Sequence, residues 1–464
     1  MKRFDWRWFV LSSLVIGALA AKAETRPQYG GSLHVAMRAA PTTLDPLDLA
    51  AKSSDRTTTP QPDSFARHGL TALMFDTLVT TDESGRIQPS LATSWLVSPG
   101  SPQWQFRIRS GVRFHDGSAL RPDVVAASLR AANPSWNVSA EGDSVIIESA
   151  RSDLLTELAL PRNAIARRNA DAVPSGTGPF HVADWQPGKT LKLAAEENSW
   201  RGRPFLDTIE IEMGKSFRDQ MTALELGKAD LVEVAPEQAH RVSQEGRHLA
   251  TSNPIELLAL LFTRDAAAQD EKLLRESLAR SIERASIRSV LLQGAGQSAA
   301  SILPNWMSGY GFVFPPDADL SWARHTREQV RTVPTWTLGF DPGDPIARLL
   351  AERIALNAKD AGLSLQPTSA AAADVRLVRI PLESSDPWIA LANVAQLTGT
   401  PATKESGSIE DLYAAERALL GAERIIPLFH LPVAYAATST LNNWTLRRDG
   451  SWSLADAWLG NSKP

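Results

Sequence analysis

Residues 335–365 read TWTLGFDPGDPIARLLAERIALNAKDAGLSL, and this stretch decides the fold class. Its first part, Thr335–Phe340, places apolar side chains at alternate positions, as a half-buried strand does. Asp344 can then cap a helix, with Pro345 at the first helical position, where the missing N–H of proline costs nothing. Gly362 stands where a left-handed residue ends a helix. Between these ends the apolar residues recur at helical spacing: Ile346, Leu349, Leu350, Ile354 and Ala358.

Strand signals continue beyond this helix. Leu363–Leu365 and Val375–Ile380 are predicted to be strands. A strand–helix–strand order is typical of a parallel or mixed sheet with helices on its faces, so the predicted fold class is α/β. Two more helices are predicted at Glu271–Ile287 and Ser408–Leu420, the second opening on a capping box of Ser408 and Asp411. Further strands are predicted at 104–108, 144–147 and 208–212.

The N-terminal 23 residues have the pattern of a secretory signal peptide. Lys2, Arg3 and Arg7 form a basic start, Trp8–Ala20 is mostly apolar, and Ala21–Ala23 has the small-x-small pattern of a cleavage site. The apolar run is too short to remain in a bilayer as an anchor. We therefore expect a protein exported to the periplasm.

Composition narrows the class of protein further. The chain has 464 residues, a formal net charge of −4 and no cysteine. The length exceeds what one hydrophobic core usually supports, so two or three domains are expected. The mildly acidic balance argues against a nucleic-acid surface, which needs clustered basic residues. Without cysteine, a disulfide framework is excluded.

The sequence offers no recognisable catalytic constellation. The eight histidines are scattered, and none pairs at the spacing of a helical metal site. No Gly-x-Ser-x-Gly nucleophile elbow occurs. Gly188-Lys189-Thr190 ends like a phosphate-binding loop, but Ala183 occupies the place of the required first glycine, so a hairpin turn is predicted there. We expect a protein that is not an enzyme and that has no cofactor or metal.

The most specific motif is the strand Trp104–Ile108 followed by Arg109–Gly117, RSGVRFHDG. It resembles the strand and the Arg-x-Gly-Val-x-Phe-His-Asp-Gly segment of the family 5 extracellular solute-binding proteins. Those proteins are the capture subunits of ABC importers for peptides, nickel and oligosaccharides. Within the motif, His115 is predicted to be a hydrogen-bonded turn residue. Other segments resemble the family in its order along the chain: Pro41–Pro46, Ile87–Trp95, Gly176–Phe180, Trp185–Gly188, Asn198–Pro204, Ala223–Asp230, Leu274–Arg284 and Ile426–Phe429.

The resemblance implies a periplasmic-binding-protein-like architecture. It consists of two α/β lobes joined by hinge crossovers, plus an extra small domain. The implied division is a signal peptide at 1–23, lobe I at 24–47, 169–254 and 431–464, the extra domain at 48–168, and lobe II at 255–430. A ligand would bind between the lobes, and closure of the cleft would bury it.

One departure from the family bears on the ligand. Family peptide binders often carry an aspartate three residues before an Asp-Pro, and it holds the amino group of the ligand. Here Glu383 stands at that place before Asp386-Pro387, and Ile380 replaces the usual upstream tryptophan. The resemblance therefore implies a cationic ligand group at Glu383 and Asp386. The candidate apolar or stacking surfaces are Trp388, Trp306 and Tyr310.

The predicted function is capture of a small solute for an ABC importer, with a peptide or a related amine-bearing compound as ligand. The expected partners are the membrane permease and ATPase subunits, nucleic acid is not a partner, and a monomer is expected. Two alternatives stay open: a ligand sensor that docks to a membrane receptor, and a secreted hydrolase on a similar scaffold.

Overall fold

The computed structural model of the chain describes residues 26–49, 64–82, 85–97, 100–149, 153–168, 173–400 and 407–460. The predicted signal peptide, residues 1–23, lies outside the described residues. No helix within the described ranges is long and apolar enough to cross a membrane.

Lobe I is built on a mixed seven-stranded sheet. Its strand Ser32–Ala36 pairs in parallel with both of its neighbours, and the other pairings are antiparallel. The helix Ser64–Met74, which the predicted limits place in the extra domain, packs into the core of this sheet through Ala66, Leu70 and Leu73 and is therefore assigned to lobe I. Across the sheet the strands are His248–Thr251, Ala434–Ala437, Leu231–Val234, Ser32–Ala36, Thr208–Glu212, Thr190–Ala195 and Phe180–Gln186.

Lobe II is built on a mixed six-stranded sheet whose central strand, Glu256–Phe262, is buried along its whole length. Such a strand takes a continuous apolar run because both faces of the sheet are covered. Thr335–Gly339 pairs in parallel with both neighbours, so the predicted mixed α/β arrangement is confirmed. Across the sheet the strands are Gln297–Ser298, Ile425–Leu431, Glu256–Phe262, Val375–Pro381, Thr335–Gly339 and Ser364–Thr368.

The helix between these strands begins later than predicted. It runs over Ala347–Asp360, with Ile346 rather than Asp344 at its N-cap. One oxygen of Asp344 is held by Arg379 at 2.6 Å, and the other accepts from the N–H of Ile346. Asp344 thus caps the turn that leads into the helix and also pairs with a neighbouring strand, while the helix itself begins after Ile346. Gly362 follows the helix at φ +80°, as predicted.

The helix predicted at 271–287 is two helices, Gln269–Ser281 and Arg284–Val290. The break falls at Ile282–Glu283, where the Glu283 N–H donates to the Asn357 side chain instead of to its own helix. The Arg284 guanidinium donates to the carbonyl of Ala279, which lies in the last turn of the first helix. The helix Ile409–Gly421 is confirmed, with Ser408 accepting from the N–H of Asp411.

The small domain carries a four-stranded antiparallel sheet and a separate hairpin, Val79–Thr81 with Ile87–Pro89. Its core holds Phe106, Val112 and Phe114 from the motif at 104–117. His115 donates its N–H to the Gly176 carbonyl, and its Nε2 lies 3.0 Å from the Gly178 carbonyl oxygen. The prediction of a hydrogen-bonded turn residue is confirmed. The sheet order is Ala92–Val97, Gln103–Ile108, Ser144–Glu148 and Asn137–Glu141.

Two short crossings join the lobes side by side. One runs from Thr251 to Glu256 and the other from Leu431 to Ala434. The N–H of Ser252 donates to Val433 O at 2.9 Å, and the N–H of Ile255 donates to Leu431 O at 2.9 Å. Such a paired crossing is the part of the chain about which two lobes can rotate. The domain limits given above stay a prediction.

The other elements lie around these sheets. Two short antiparallel pairs follow the second crossing: Leu441–Asn442 with Trp458–Leu459, and Thr445–Leu446 with Trp452–Ser453. The second pair is called the C-terminal hairpin below. The remaining helices of the described chain are Pro46–Leu49, Pro122–Ala132, Leu154–Leu158, Phe217–Glu225, Ala239–Gln244, Asn305–Ser308, Leu320–Glu328 and Pro387–Thr398.

Candidate functional site

A cavity of about 600 Å³ lies where lobe I, the small domain and lobe II meet. Lobe I contributes the helix Ser64–Met74 and the C-terminal hairpin, and lobe II contributes Ser385. The lining of the cavity includes His68, Thr71, Ala72, Phe75, Asp76, Asp82, Gly85, Arg201, Ser385, Arg447, Arg448, Asp449 and Ser451.

One face of the helix Ser64–Met74 and the residue that follows it form a wall of the cavity. His68, Thr71, Ala72 and Phe75 line it. Their spacing of three, four and seven residues places them on one side of a helix.

Two glycine contacts fix this helix against the C-terminal hairpin. A Cβ on Gly69 would lie 2.7 Å from the Trp452 ring, and one on Gly450 would lie 2.7 Å from the Phe65 ring. Glycine at both places lets the two elements approach closely, so the arginines of the hairpin face the helix across the cavity.

Asp76 has hydrogen-bond and ion-pair partners from three side chains. It accepts from the Thr177 hydroxyl and the Trp200 indole N–H, each at 2.9 Å, and pairs with the Arg201 guanidinium at 2.9 Å. Arg201 also donates to the Ser90 hydroxyl and lies over the Trp200 ring. These partners neutralise Asp76, which therefore acts as a structural tie between the small domain and lobe I.

The other two carboxylates of the lining are also engaged. Asp82 accepts from the side chains of Arg86 and Gln88, each at 3.0 Å. Asp449 accepts from both the N–H and the hydroxyl of Ser451, which closes the turn of the C-terminal hairpin. The acids of the cavity thus serve the protein's own structure.

Six polar side chains of the lining make no hydrogen bond to any described residue: His68, Thr80, Thr81, Ser385, Thr445 and Arg448. His68 is 5% exposed, and its Nδ1 is buried. Arg448 Nη1 and Ser385 Oγ lie 3.8 and 3.9 Å from the place of a Cβ on Gly85. Lobe I, lobe II and the small domain therefore meet at this point, with hydrogen-bond donors still available.

Comparisons with known proteins decide the family. The sequence profile of the bacterial extracellular solute-binding proteins, family 5 middle, matches residues 86–379. The chain belongs to this family. The resemblance predicted from the motifs is thereby confirmed.

Relatives of this family 5 protein bind different solutes according to their names. The nickel-binding protein NikA of Staphylococcus aureus is 25% identical over 243 residues, 49% of this chain and 49% of NikA. The oligopeptide-binding protein AppA of Bacillus subtilis is 24% identical over 335 residues, 65% of this chain and 56% of AppA. The chain spans about half the length of the curated relatives it matches.

Solved structures agree on the fold of the family 5 protein. The dipeptide-binding protein of Pseudoalteromonas sp. SM9913 in complex with Met-Leu superposes with a TM-score of 0.78 at 16% identity. That superposition covers 92% of this chain and 100% of the other chain. The periplasmic-binding-protein-like architecture is thereby confirmed.

The predicted acidic residues lie beside the cavity of this family 5 protein. Glu383 and Asp386 flank Ser385, which lines the cavity, but neither lines it. The Asp386 carboxylate caps the helix Pro387–Thr398 by accepting from the N–H groups of Trp388 and Ile389. Glu383 is half-buried and has a left-handed backbone, with φ at +52°. Their roles toward a ligand stay a prediction.

The three predicted aromatic residues lie together in lobe II, away from the cavity lining. Trp388 is buried in a core cluster, and Trp306 and Tyr310 pack against the same cluster. The Trp306 indole N–H donates to Pro254 O at 2.8 Å, and the Tyr310 hydroxyl donates to the buried Glu416 carboxylate. Each polar group thus has a partner within the protein, and a stacking role stays a prediction.

Sequence reasoning missed His68, Ser385 and Arg448. The run Arg447-Arg448-Asp449-Gly450 was a usable signal, since two arginines stand beside a favoured tight-turn dipeptide. Nothing in the sequence around His68 marks it. Among the described residues, no cluster of three or more histidine, aspartate and glutamate side chains could hold a metal ion.

A second charged cluster lies between the lobes. Arg379 of lobe II pairs with Glu256 at 2.8 Å and with Asp344 at 2.6 Å. Glu237 of lobe I lies within the field of these charges, and its Oε2 is buried without a hydrogen-bond partner among the described residues. Burial raises the pKa of Glu237, and the charges of Asp344 and Glu256 raise this pKa too, against its own N–H and Arg379, which lower it.

Glu237→Gln is expected to raise the midpoint of thermal unfolding at pH 8. The folded state holds the Glu237 proton more tightly than the unfolded chain does, because the pKa is raised on folding. Stability is therefore lost as the pH rises through the folded pKa, and glutamine removes this loss. Below the unfolded pKa of about 4.3 both states are protonated and the gain vanishes. Melting curves from pH 4 to 8 test this.

The matched control for this experiment is Glu225→Gln, at an exposed helical position in the same lobe. It should leave the midpoint unchanged at every pH. An equal midpoint for Glu237→Gln and wild type at pH 8 would contradict the buried, unpaired state of this carboxyl.

Proposed function

We propose that the protein captures a small solute between its two lobes and presents it to an ABC importer. The observation that carries this proposal is the cavity of about 600 Å³ at the meeting of lobe I, lobe II and the small domain. Its size falls within the range of small-molecule sites, roughly 300–1,000 Å³. The cavity is lined by polar side chains that make no hydrogen bond to a described residue, so they can bind a ligand.

Closure about the paired crossings supplies the mechanism. A ligand that touches both lobes binds the closed arrangement better than the open one, and so shifts the population toward it. Ser385 belongs to lobe II, whereas His68 and Arg448 belong to lobe I. A ligand that contacts all three residues therefore gains contacts only when the lobes are closed.

The proposed ligand class is a peptide or a related amine-bearing compound. The names and titles of relatives that bind peptides support this class. The nickel-binding relative shows how far the solute varies within the family. The proposed partners are the permease and ATPase subunits of an importer, and the proposed location is the periplasm.

Native mass spectrometry of the mature protein tests the function. The protein is sprayed intact and then denatured, and any released small molecule is identified. A stoichiometric solute supports capture and names the ligand class. An empty protein that also binds nothing from a peptide mixture would contradict the proposal.

The proposed amine contact at Glu383 has its own test. Glu383→Gln keeps the side-chain shape and removes the negative charge. If Glu383 holds an ammonium group, the affinity for an amine-bearing peptide should fall about tenfold or more, the scale of a hydrogen bond to a charged group. Isothermal titration with a peptide and its N-acetylated form measures this. Equal affinity of the variant and wild type for the free-amine peptide would exclude the contact.

A further inference from the structure

We propose that the cavity selects ligands that carry an anionic oxygen group, a carboxylate or a phosphate, and that Arg448, His68 and Ser385 bind this group. This inference rests on the proposed function and adds the chemistry that the ligand must bring. Its basis is the set of polar groups in the cavity that the protein itself leaves available.

The charges of the lining favour an anion. Asp76 is neutralised by Arg201 and Asp82 by Arg86, so these pairs contribute no net charge. Asp449 then remains beside two arginines, Arg447 and Arg448. Arg447 donates to the Ser453 hydroxyl at 3.3 Å and holds the hairpin. Arg448 is exposed and has no ion pair with a described residue. The hairpin thus carries a surplus positive charge toward the cavity.

The hydrogen-bond donors that remain available in the cavity also favour an anionic ligand group. Guanidinium N–H groups can only donate, and a hydroxyl and an imidazole can each donate. The His68 ring is 5% exposed and lines the cavity, so a ligand oxygen in the cavity can accept a hydrogen bond from its imidazole. Carboxylate and phosphate match the planar fork of arginine better than a neutral oxygen does.

Gly85 leaves the space in which these groups meet. It has φ at +81° in the turn of the small-domain hairpin, where its N–H donates to Asp82 O at 2.9 Å. A Cβ there would stand within 4 Å of both Arg448 Nη1 and Ser385 Oγ. An anion held by Arg448 and Ser385 therefore joins lobe I to lobe II beneath the small-domain turn. This contact forms only when the lobes close. The anionic group of the ligand therefore determines selectivity and also stabilises the closed state.

The test uses the small-molecule fraction of yeast extract as the probe. One portion is left untreated, one is methyl-esterified to neutralise carboxylates, and one is treated with phosphatase. Wild type, Arg448→Gln and Arg348→Gln are incubated with each portion, and the captured molecules are identified by mass spectrometry. Arg348 is an exposed arginine of lobe II that pairs with Glu352 outside the cavity, which makes it a matched control. Unfolding midpoints without extract verify that the variants fold equally.

We expect wild type and Arg348→Gln to capture molecules that carry a carboxylate or a phosphate. Esterification should abolish capture in the first case and phosphatase in the second. Arg448→Gln should capture at least about tenfold less at limiting protein. Captured molecules without an anionic group, or undiminished capture by Arg448→Gln, would overturn this inference and leave the proposed function standing. No capture by any variant from any portion would overturn both.

Discussion

Gly176→Ala is expected to lower the free energy of unfolding by about 3 kcal/mol, at the upper end of the cost of overpacking a core. A Cβ on Gly176 would lie 1.9 Å from the Met74 carbonyl oxygen and 2.6 Å from Phe75 Cδ1. Backbone cannot rotate away as a flexible side chain can, so the turn must separate from the end of the helix Ser64–Met74. Because Phe75 lines the cavity, ligand binding should weaken as well.

Urea unfolding followed by tryptophan fluorescence measures the loss. The control is Gly311→Ala, at an exposed glycine whose added Cβ would meet no atom within 4 Å and whose φ is not positive. This variant should be within about 0.5 kcal/mol of wild type, as surface substitutions usually are. Equal stability of Gly176→Ala and Gly311→Ala would show that the turn does not dock as tightly as described.

Arg379→Met is expected to cost about 3–5 kcal/mol at pH 7, the usual effect of removing one partner from a buried ion pair. The Arg379 side chain is 10% exposed, and it bridges Glu256 and Asp344. Methionine fills a similar volume but leaves two buried carboxylates without the cation that bridges them. The matched control is Arg348→Met, because Arg348 pairs with Glu352 at the surface with 73% of its side chain exposed. That pair should contribute about 0–1 kcal/mol.

The pH dependence of this loss has a defined sign. Burial raises the pKa of Asp344, but the charge and hydrogen bond of Arg379 lower it more, so this pKa is below its ordinary value. The pair therefore stabilises the fold above the unfolded pKa of about 3.9, and this stability is lost as the pH falls through the folded pKa. The difference between Arg379→Met and wild type should be largest near pH 7 and shrink below about pH 4. Urea unfolding at pH 3.5, 5 and 7 checks this, and a constant difference would contradict it.

The elements predicted from the sequence depend on neighbours along the chain. The strand at 335–339, the left-handed Gly362 and the cap at Ser408 are all present as predicted. In each case the determining contact lies within a few residues. The two misplaced boundaries, at Asp344 and at Ile282–Glu283, have the opposite origin. There a distant side chain contributes: Asn357 accepts the Glu283 N–H that a continuous helix would use, and Arg379 holds one oxygen of Asp344.

The candidate site was harder to predict for the same reason. Asp386 carries the Asp-Pro signal that drew attention to its segment, and that signal is a helix N-terminus. Its neighbour Ser385 is the residue that reaches the cavity, and nothing in a run of two serines distinguishes them. His68 lies on an ordinary amphipathic helix. His68 lines the cavity only because the C-terminal hairpin, which lies far along the chain, packs against its helix.

The sequence by itself determined the family and the α/β class of this protein. Local periodicity, caps and the motif at 104–117 each lie within contiguous residues. They can be recognised in the sequence because they depend on short-range sterics and hydrogen bonds. Only the tertiary structure decided which groups share the cavity. Its donors come from His68, Ser385 and Arg448, three distant parts of the chain, with Gly85 between them. Their meeting depends on close packing between elements, such as Gly69 against the Trp452 ring, and that packing is a property of the folded chain alone.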